Sequence, residues 1–333
     1  MRGTIETDPW NPKPEVIARA AAILRSGGLV AFPTETVYGL GADGLNPQAV
    51  EKIFQAKGRP QDNPLILHLS VPQEAEELAE LDSRARAVMG AFWPGPLTLV
   101  LPARPAVPEA VRAGLPTVAL RIPDHPVALA LIRKTGRPIA GPSANRSGRP
   151  SPTDAAAVAA DLGESVELIL DAGNVNIGLE STVIDLTGEK ILLLRPGGMP
   201  IERLEEFFGT PLGAPGGGEK KRSPGTRYRH YAPDVPVYIW DHKEELPGAI
   251  DLAQSAFIGM TPPPFGFARM VLFDSQENYA RGVFAAFRRL EAEGVRHIVA
   301  EWPAPSGIGL ALRDRILRAK EAVTTTRWES QRL

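Results

Sequence analysis

Residues 57–68, KGRPQDNPLILH, place Lys57, Arg59, Asp62, Asn63 and His68 around one short stretch that tips into an apolar run. Arg59 precedes Pro60 and Asn63 precedes Pro64, and a residue before proline is pushed out of the helical region toward extended geometry. In extended chain, side chains two apart share a face, so Lys57 and Arg59 are expected to project together. Two cations held side by side with no carboxylate between them call for an anion. A solvated turn with scattered charges is the competing reading of this stretch alone.

Comparable clusters of polar and small residues recur along the chain. They are PTET from residue 33, HLS from 68, RIPDH from 121, GPSANRSGRPS from 141, GLESTV from 178 and LRPGG from 194. Each alone reads as a turn or a helix cap, as SPTD around Thr153 does. Several follow an apolar run, and in α/β folds ligands bind outside strand ends, so the clusters are candidates for one site. Arg121, inside VALRIP, needs an anionic partner, either a structural carboxylate or a ligand. His68, in an apolar strand, reads first as a core histidine.

Other chemistries are absent from the sequence. The chain has no cysteine, which removes disulfides, thiol nucleophiles and thiolate metal sites. There is no G-x-x-x-x-G-K-[ST] loop, no H-E-x-x-H and no clustered histidine pattern. GPSANRSG resembles neither a nucleophile elbow nor a triad arrangement. A net charge of -2 argues against broad electrostatic binding to nucleic acid. The amino terminus lacks the pattern of a signal peptide, and no stretch reaches the ~18 apolar residues of a membrane span. A cytoplasmic enzyme working through oxygen and nitrogen groups is the expectation.

The elements that must position these groups are legible. A length of 333 residues with 43% hydrophobic content fits two globular domains. Pro14 opens a helical pattern that Gly27 and Gly28 stop, LVAF reads as a strand, and PTETVYGLGAD is read as the loop it delivers. Asn46 and Pro47 open a second helix that ends at the 57–68 cluster. Strands are expected at 65–69, 97–101, 117–122, 138–141, 167–171, 181–186 and 190–195. Helices are expected near 74–81, 83–92, 126–134, 153–162 and 200–208. This alternation predicts a mixed twisted sheet in an α/β domain over 1–210. The stretch 211–233, rich in glycine, proline and cations and ending in rings, predicts a linker. Beyond it, 234–333 predicts a small α/β domain, with strands in VPVYIW, SAFIGM, ARMVLF and HIVAEW.

Taken together, PTETVYGLGAD, KGRPQDNPLILH, WPGPLTLVL, LRIPDH, GPSANRSGRPSPT, ESTVIDL and LRPGG resemble the YrdC-like threonylcarbamoyl-AMP synthases. The family's K-x-R and S-x-N signature is matched by Lys57, Arg59, Ser143 and Asn145. SPGTRYRHYAP followed by a small Rossmann-like α/β domain resembles the long, two-domain form. The resemblance implies that L-threonine, bicarbonate and ATP give L-threonylcarbamoyl-AMP and pyrophosphate. A partner transferase system then modifies adenosine 37 of tRNAs reading codons that start with A.

By the same resemblance, Lys57, Arg59, Ser143 and Asn145 are catalytic and hold the phosphates. Asn63, Thr117, Ser151, Arg195 and Tyr231, with Arg59 and Ser143, contact ATP. Thr34, Thr36, His68, Arg121 and Ser181 surround threonine, with Arg121 the expected partner of its carboxylate. Magnesium is expected with the nucleotide, and no protein metal site is expected. Tyr231, with Tyr228, Arg229 and His230, is expected to fold back as a lid that keeps water from the labile anhydride. Replacing Tyr231 with alanine is then expected to lower product yield more than stability. The basic stretch 219–230 leaves a weak RNA contact as a competing expectation. A hydrogenase-maturation carbamoyl-transfer module is disfavoured by the missing cysteines. An inactive paralogue is disfavoured by the intact signature.

Overall fold

The computed structural model describes residues 3–223, 230–242, 246 and 250–329. Among them, ten strands form the first sheet: β1 (Gly3–Glu6), β2 (Val30–Phe32), β3 (Gly39–Asp43), β4 (Ile66–His68), β5 (Leu97–Pro102), β6 (Thr117–Arg121), β7 (Ile139–Ala140), β8 (Leu168–Asp171), β9 (Thr182–Asp185) and β10 (Leu192–Arg195). Their order is β1-β8-β2-β3-β7-β4-β6-β5-β9-β10. Parallel and antiparallel pairs are mixed, as expected: β4 runs parallel to β6, whereas β5 is antiparallel to it.

Helices α1 (Pro14–Arg25), α2 (Pro47–Lys57), α3 (Ala75–Leu78), α4 (Ser83–Phe92), α5 (Glu109–Arg112), α6 (Pro126–Thr135), α7 (Ala155–Leu162) and α8 (Ile201–Phe208) accompany this sheet. Proline stands at the start of α1 and α2, where a missing N–H costs nothing, and the Asn46 side chain accepts from the N–H groups of Gln48 and Ala49. A buried cluster including Leu40, Ile53, Leu67, Leu99 and Leu120 joins the sheet to α2, and a second one including Leu24, Phe32 and Leu131 joins it to α1 and α6.

The second sheet contains β11 (Val237–Trp240), β12 (Ser255–Gly259), β13 (Arg269–Leu272) and β14 (His297–Glu301), all parallel in the order β11-β14-β12-β13. Helices α9 (Gln276–Ala292) and α10 (Gly309–Glu329) accompany it, giving the Rossmann-like arrangement expected. Among the described residues no helix is long and apolar enough to cross a membrane.

Two departures matter for the site. Gly39–Asp43 is a fully buried strand, not loop. Its glycines hide the strand pattern, yet they are what fits: a Cβ on Gly39 or Gly41 would lie 3.1 or 3.0 Å from the Phe32 ring. Helix α7 begins at Ala155, with Asp154 rather than Thr153 as its cap, and the Asp154 carboxylate accepts from Ala157 N at 2.7 Å.

Candidate active site

One cleft collects most of the polar clusters. It is lined by Thr34 before β3, Arg59 after α2, His68 at the end of β4, Ser143 after β7, Glu180 before β9, Arg195 at the end of β10, and His230 and Tyr231 from the linker. The linker therefore returns to the cleft at His230 and Tyr231; Tyr228 and Arg229 lie outside the described residues.

The K-x-R pair is positioned differently from the expectation. Lys57 is the last residue of α2 and Gly58 adopts a left-handed conformation (φ 59°), so a helix end and a tight turn, not an extended segment, bring Lys57 near Arg59. The Lys57 ammonium donates to the carbonyls of Ser143 and Asn145 and thereby ties the S-x-N loop to α2. Burial, reinforced by Arg59, pushes its pKa well below the usual lysine value. Arg59 donates to the carbonyls of Asn63 (3.2 Å) and Pro64 (2.9 Å), and burial lowers its pKa to about 10. The cations are thus desolvated and close, a state that a bound anion relieves.

Asn63 is 1% exposed, and both its side-chain oxygen and nitrogen are buried without a hydrogen-bond partner among the described residues. Such an amide is costly unless a ligand completes it. The Asn145 amide nitrogen instead donates to the carbonyls of Arg146 (2.7 Å) and Arg149 (2.9 Å), so this side chain shapes its own loop. Ser151 donates to Glu180, and Thr117, buried at the start of β6, does not line the cleft.

Of the residues expected around threonine, Thr34, Thr36 and Arg121 form one hydrogen-bonded chain, whereas Ser181 bonds Thr98 and Arg195. Thr34 and Thr36 share a hydroxyl contact of 2.8 Å, Arg121 donates to Thr36 at 3.0 Å, and Arg195 donates to the Ser181 carbonyl at 2.9 Å. Arg121 already has a structural carboxylate: Glu35 lies 2.7 Å away, and Gly95 O accepts at 3.2 Å. Glu35 is close enough for an ion pair, but neither of its oxygens has the alignment of a hydrogen bond. A threonine carboxylate would therefore compete with Glu35 for this guanidinium. His68 fits against Gly141, where a Cβ would lie 2.9 Å from its ring. Burial first, and Arg121 second, lower the His68 pKa to about 3, so the ring is neutral at pH 7.

Sequence reasoning missed two charged groups. Glu180 lines the cleft, and Arg315, on α10 and fully buried, donates to it at 2.8 Å. The signal for Glu180 was an acid in a loop cluster, GLESTV, that bears no cation of its own; nothing local marked Arg315. The structure also revises the expected tolerance of Tyr231. The ring is 2% exposed, stacks on Phe284 at 5.5 Å and belongs to the core of the second sheet, so an alanine there removes core packing.

Comparisons with known proteins agree with this architecture. The profile of the family described as "Telomere recombination" (Sua5_yciO_yrdC) matches residues 22–197, and that described as "Threonylcarbamoyl-AMP synthase, C-terminal domain" matches residues 199–320. The threonylcarbamoyl-AMP synthase of Pyrococcus abyssi is 44% identical over 90% of this chain and 92% of that protein. That of Bacillus subtilis is 42% identical over 94% and 95%. The crystal structure of P. abyssi Sua5 complexed with L-threonine superposes with a TM-score of 0.88 at 41% identity, covering 96% of this chain and 98% of that one. The chain belongs to the Sua5/YciO/YrdC family, in the form that carries the threonylcarbamoyl-AMP synthase C-terminal domain.

Proposed function

We propose that this chain is an L-threonylcarbamoyladenylate synthase, a nucleotidyltransferase that makes L-threonylcarbamoyl-AMP and pyrophosphate from L-threonine, bicarbonate and ATP. The observation that carries the reading is the pair of desolvated cations Arg59 and Arg195 lining one cleft, with buried Lys57 bonded to the loop of Ser143 in its wall and with an Asn63 amide that has no partner among the described residues. Relatives that match nearly the whole chain bear that enzyme's name, and one was crystallised with L-threonine.

The chemistry asks for this kind of site. The neutral amine of threonine adds to bicarbonate with loss of water, giving a carbamate. A carbamate oxygen then attacks the α-phosphorus of ATP, and the bond to the β-phosphate oxygen breaks to release pyrophosphate. Every reacting partner except the amine is anionic, so catalysis consists of gathering anions and stabilising charge at phosphorus. Arg59 and Arg195 supply that charge at the cleft wall. Lys57 holds the loop that presents Ser143 and Asn145. Asn63 offers a donor and an acceptor to the nucleotide, while Thr34, Thr36, His68, Arg121 and Ser181 form the threonine end.

Magnesium is taken to enter with the ATP phosphates, which together with water are the ligands it prefers. Residues 1–210 serve as catalytic body, 211–233 as the closing segment, and 234–333 as its support. The product is taken to pass to a transferase acting on adenosine 37 of tRNA, and the reaction is read as cytoplasmic.

Pyrophosphate release by the full chain with ATP and magnesium, omitting threonine or bicarbonate in turn, tests the reading. Release that requires both, with the adenylate seen by mass spectrometry, supports it. Release with neither identifies a plain ATPase. No release, together with tight and salt-sensitive tRNA binding, returns the RNA-binding reading.

A further inference from the structure

A cleft meant for a polyanion has no obvious use for a carboxylate, yet Glu180, 7% exposed, stands in its wall beside Arg195. Both of its oxygens are engaged. One accepts from the Ser151 hydroxyl, and the other accepts from Arg315 Nε at 2.8 Å. Burial by itself would raise the Glu180 pKa, but Arg315 and Arg195 outweigh it and hold the group ionised. Arg315 belongs to α10 of the other sheet's domain and is 0% exposed, so it crosses the domain boundary to reach this carboxylate. There it also donates to Pro196 O at 3.0 Å, pairs with Asp314, and lies over the Tyr231 ring at 4.8 Å. Tyr231 lines the same cleft.

A guanidinium taken wholly out of water is costly, and it persists where charges and hydrogen bonds compensate it. Here they do so at one particular place, the junction of Glu180, the loop ahead of Gly197, and Tyr231. The backbone contact there is close: a Cβ on Gly197 would lie 2.3 Å from the Glu180 carbonyl.

We propose that Arg315 is a positioning residue for the nucleotide, through which the second domain neutralises Glu180 in the cleft wall and fixes Ser151 and the Tyr231 ring around it. The proposal rests on the reading of the cleft as the ATP site. It gives the second domain a part in binding that anchoring a linker does not require. Without Arg315, the carboxylate loses its directly bonded cation and, with only Arg195 and Ser151 left to compensate it, repels the incoming phosphates; without both charges, that repulsion is gone.

The test is pyrophosphate release by the full-length protein, with KM measured separately for ATP and for threonine, and melting curves on every variant. In R315A the KM for ATP is expected to rise about ten-fold or more, while that for threonine moves less than about three-fold. In R315M/E180Q, which removes both charges at similar volume, the KM for ATP is expected to return to within about three-fold of the wild type. Equal rises in both KM values in R315A overturn the proposal. So does a folded double variant whose KM for ATP stays about ten-fold high. If R315A does not fold, the double variant decides alone; its own failure to fold shows that the pair serves the fold and not the nucleotide. A wild type that releases no pyrophosphate refutes the functional reading instead, and the same comparison is then made on ATP dissociation constants by calorimetry.

Discussion

Acidification should destabilise this protein through His68, and the size of the effect follows from its surroundings. The ring is 3% exposed, its Nδ1 has no hydrogen-bond partner among the described residues, and Arg121 lies close enough to repel a proton. Its pKa falls from 6.5 to about 3 on folding. The sign follows directly. Below pH 6.5 the unfolded chain binds a proton that the folded chain refuses, so stability is complete above that pH and drains away until about pH 3. Each pH unit in this window removes about 1.4 kcal/mol, so a descent from about pH 6.5 to about pH 4 costs roughly 3 kcal/mol. Urea unfolding midpoints, measured at intervals across that range for the wild type and for His68→Gln, isolate the contribution. The variant should be less stable at neutral pH and should lose stability less steeply, by about one proton's slope. Parallel curves for the two proteins would refute the account, because other titrating groups, His230 included, are common to both.

Two further predictions concern the join between the domains. Tyr231→Ala removes a ring stacked between Phe284 and Arg315 and should lower stability by about 3 kcal/mol in addition to any loss of product, whereas Tyr231→Phe should melt close to the wild type. An unchanged melting temperature for the alanine variant would restore the view of this residue as a lid alone. Gly178 has φ 85°, and a Cβ there would lie 2.4 Å from the Arg281 Cα of α9. Gly178→Ala should therefore cost about 2–4 kcal/mol and loosen the domain contact, read as faster proteolysis between residues 211 and 233. Cleavage at the wild-type rate would show that the contact gives way without loss.

The local grammar of the chain is carried by short-range physics. Pro14 and Pro47 at helix starts and apolar runs such as LTLVL need only their neighbours to declare themselves, and these elements stand where they were expected. The same holds for the loop clusters, because cations and hydroxyls at strand ends are visible one by one. What they face is another matter. Lys57 reads as a phosphate ligand, yet its ammonium bonds carbonyls 86 and 88 residues away. Arg121 announces the need for an anion but not that Glu35 supplies one. The buried strand Gly39–Asp43 escapes notice because its glycines are selected by the Phe32 ring, a contact made across the sheet.

By itself the sequence determined the α/β class, the two-part organisation and, through the combined motifs, the family. Only the tertiary structure decided that Arg315 reaches Glu180 from 135 residues away, and that Tyr231 sits in the core of one domain while lining the cleft of the other. The reason is physical. Helix, turn and strand propensities are set within a few residues, whereas the partner of a buried charge is set by whichever distant side chain packing brings to it.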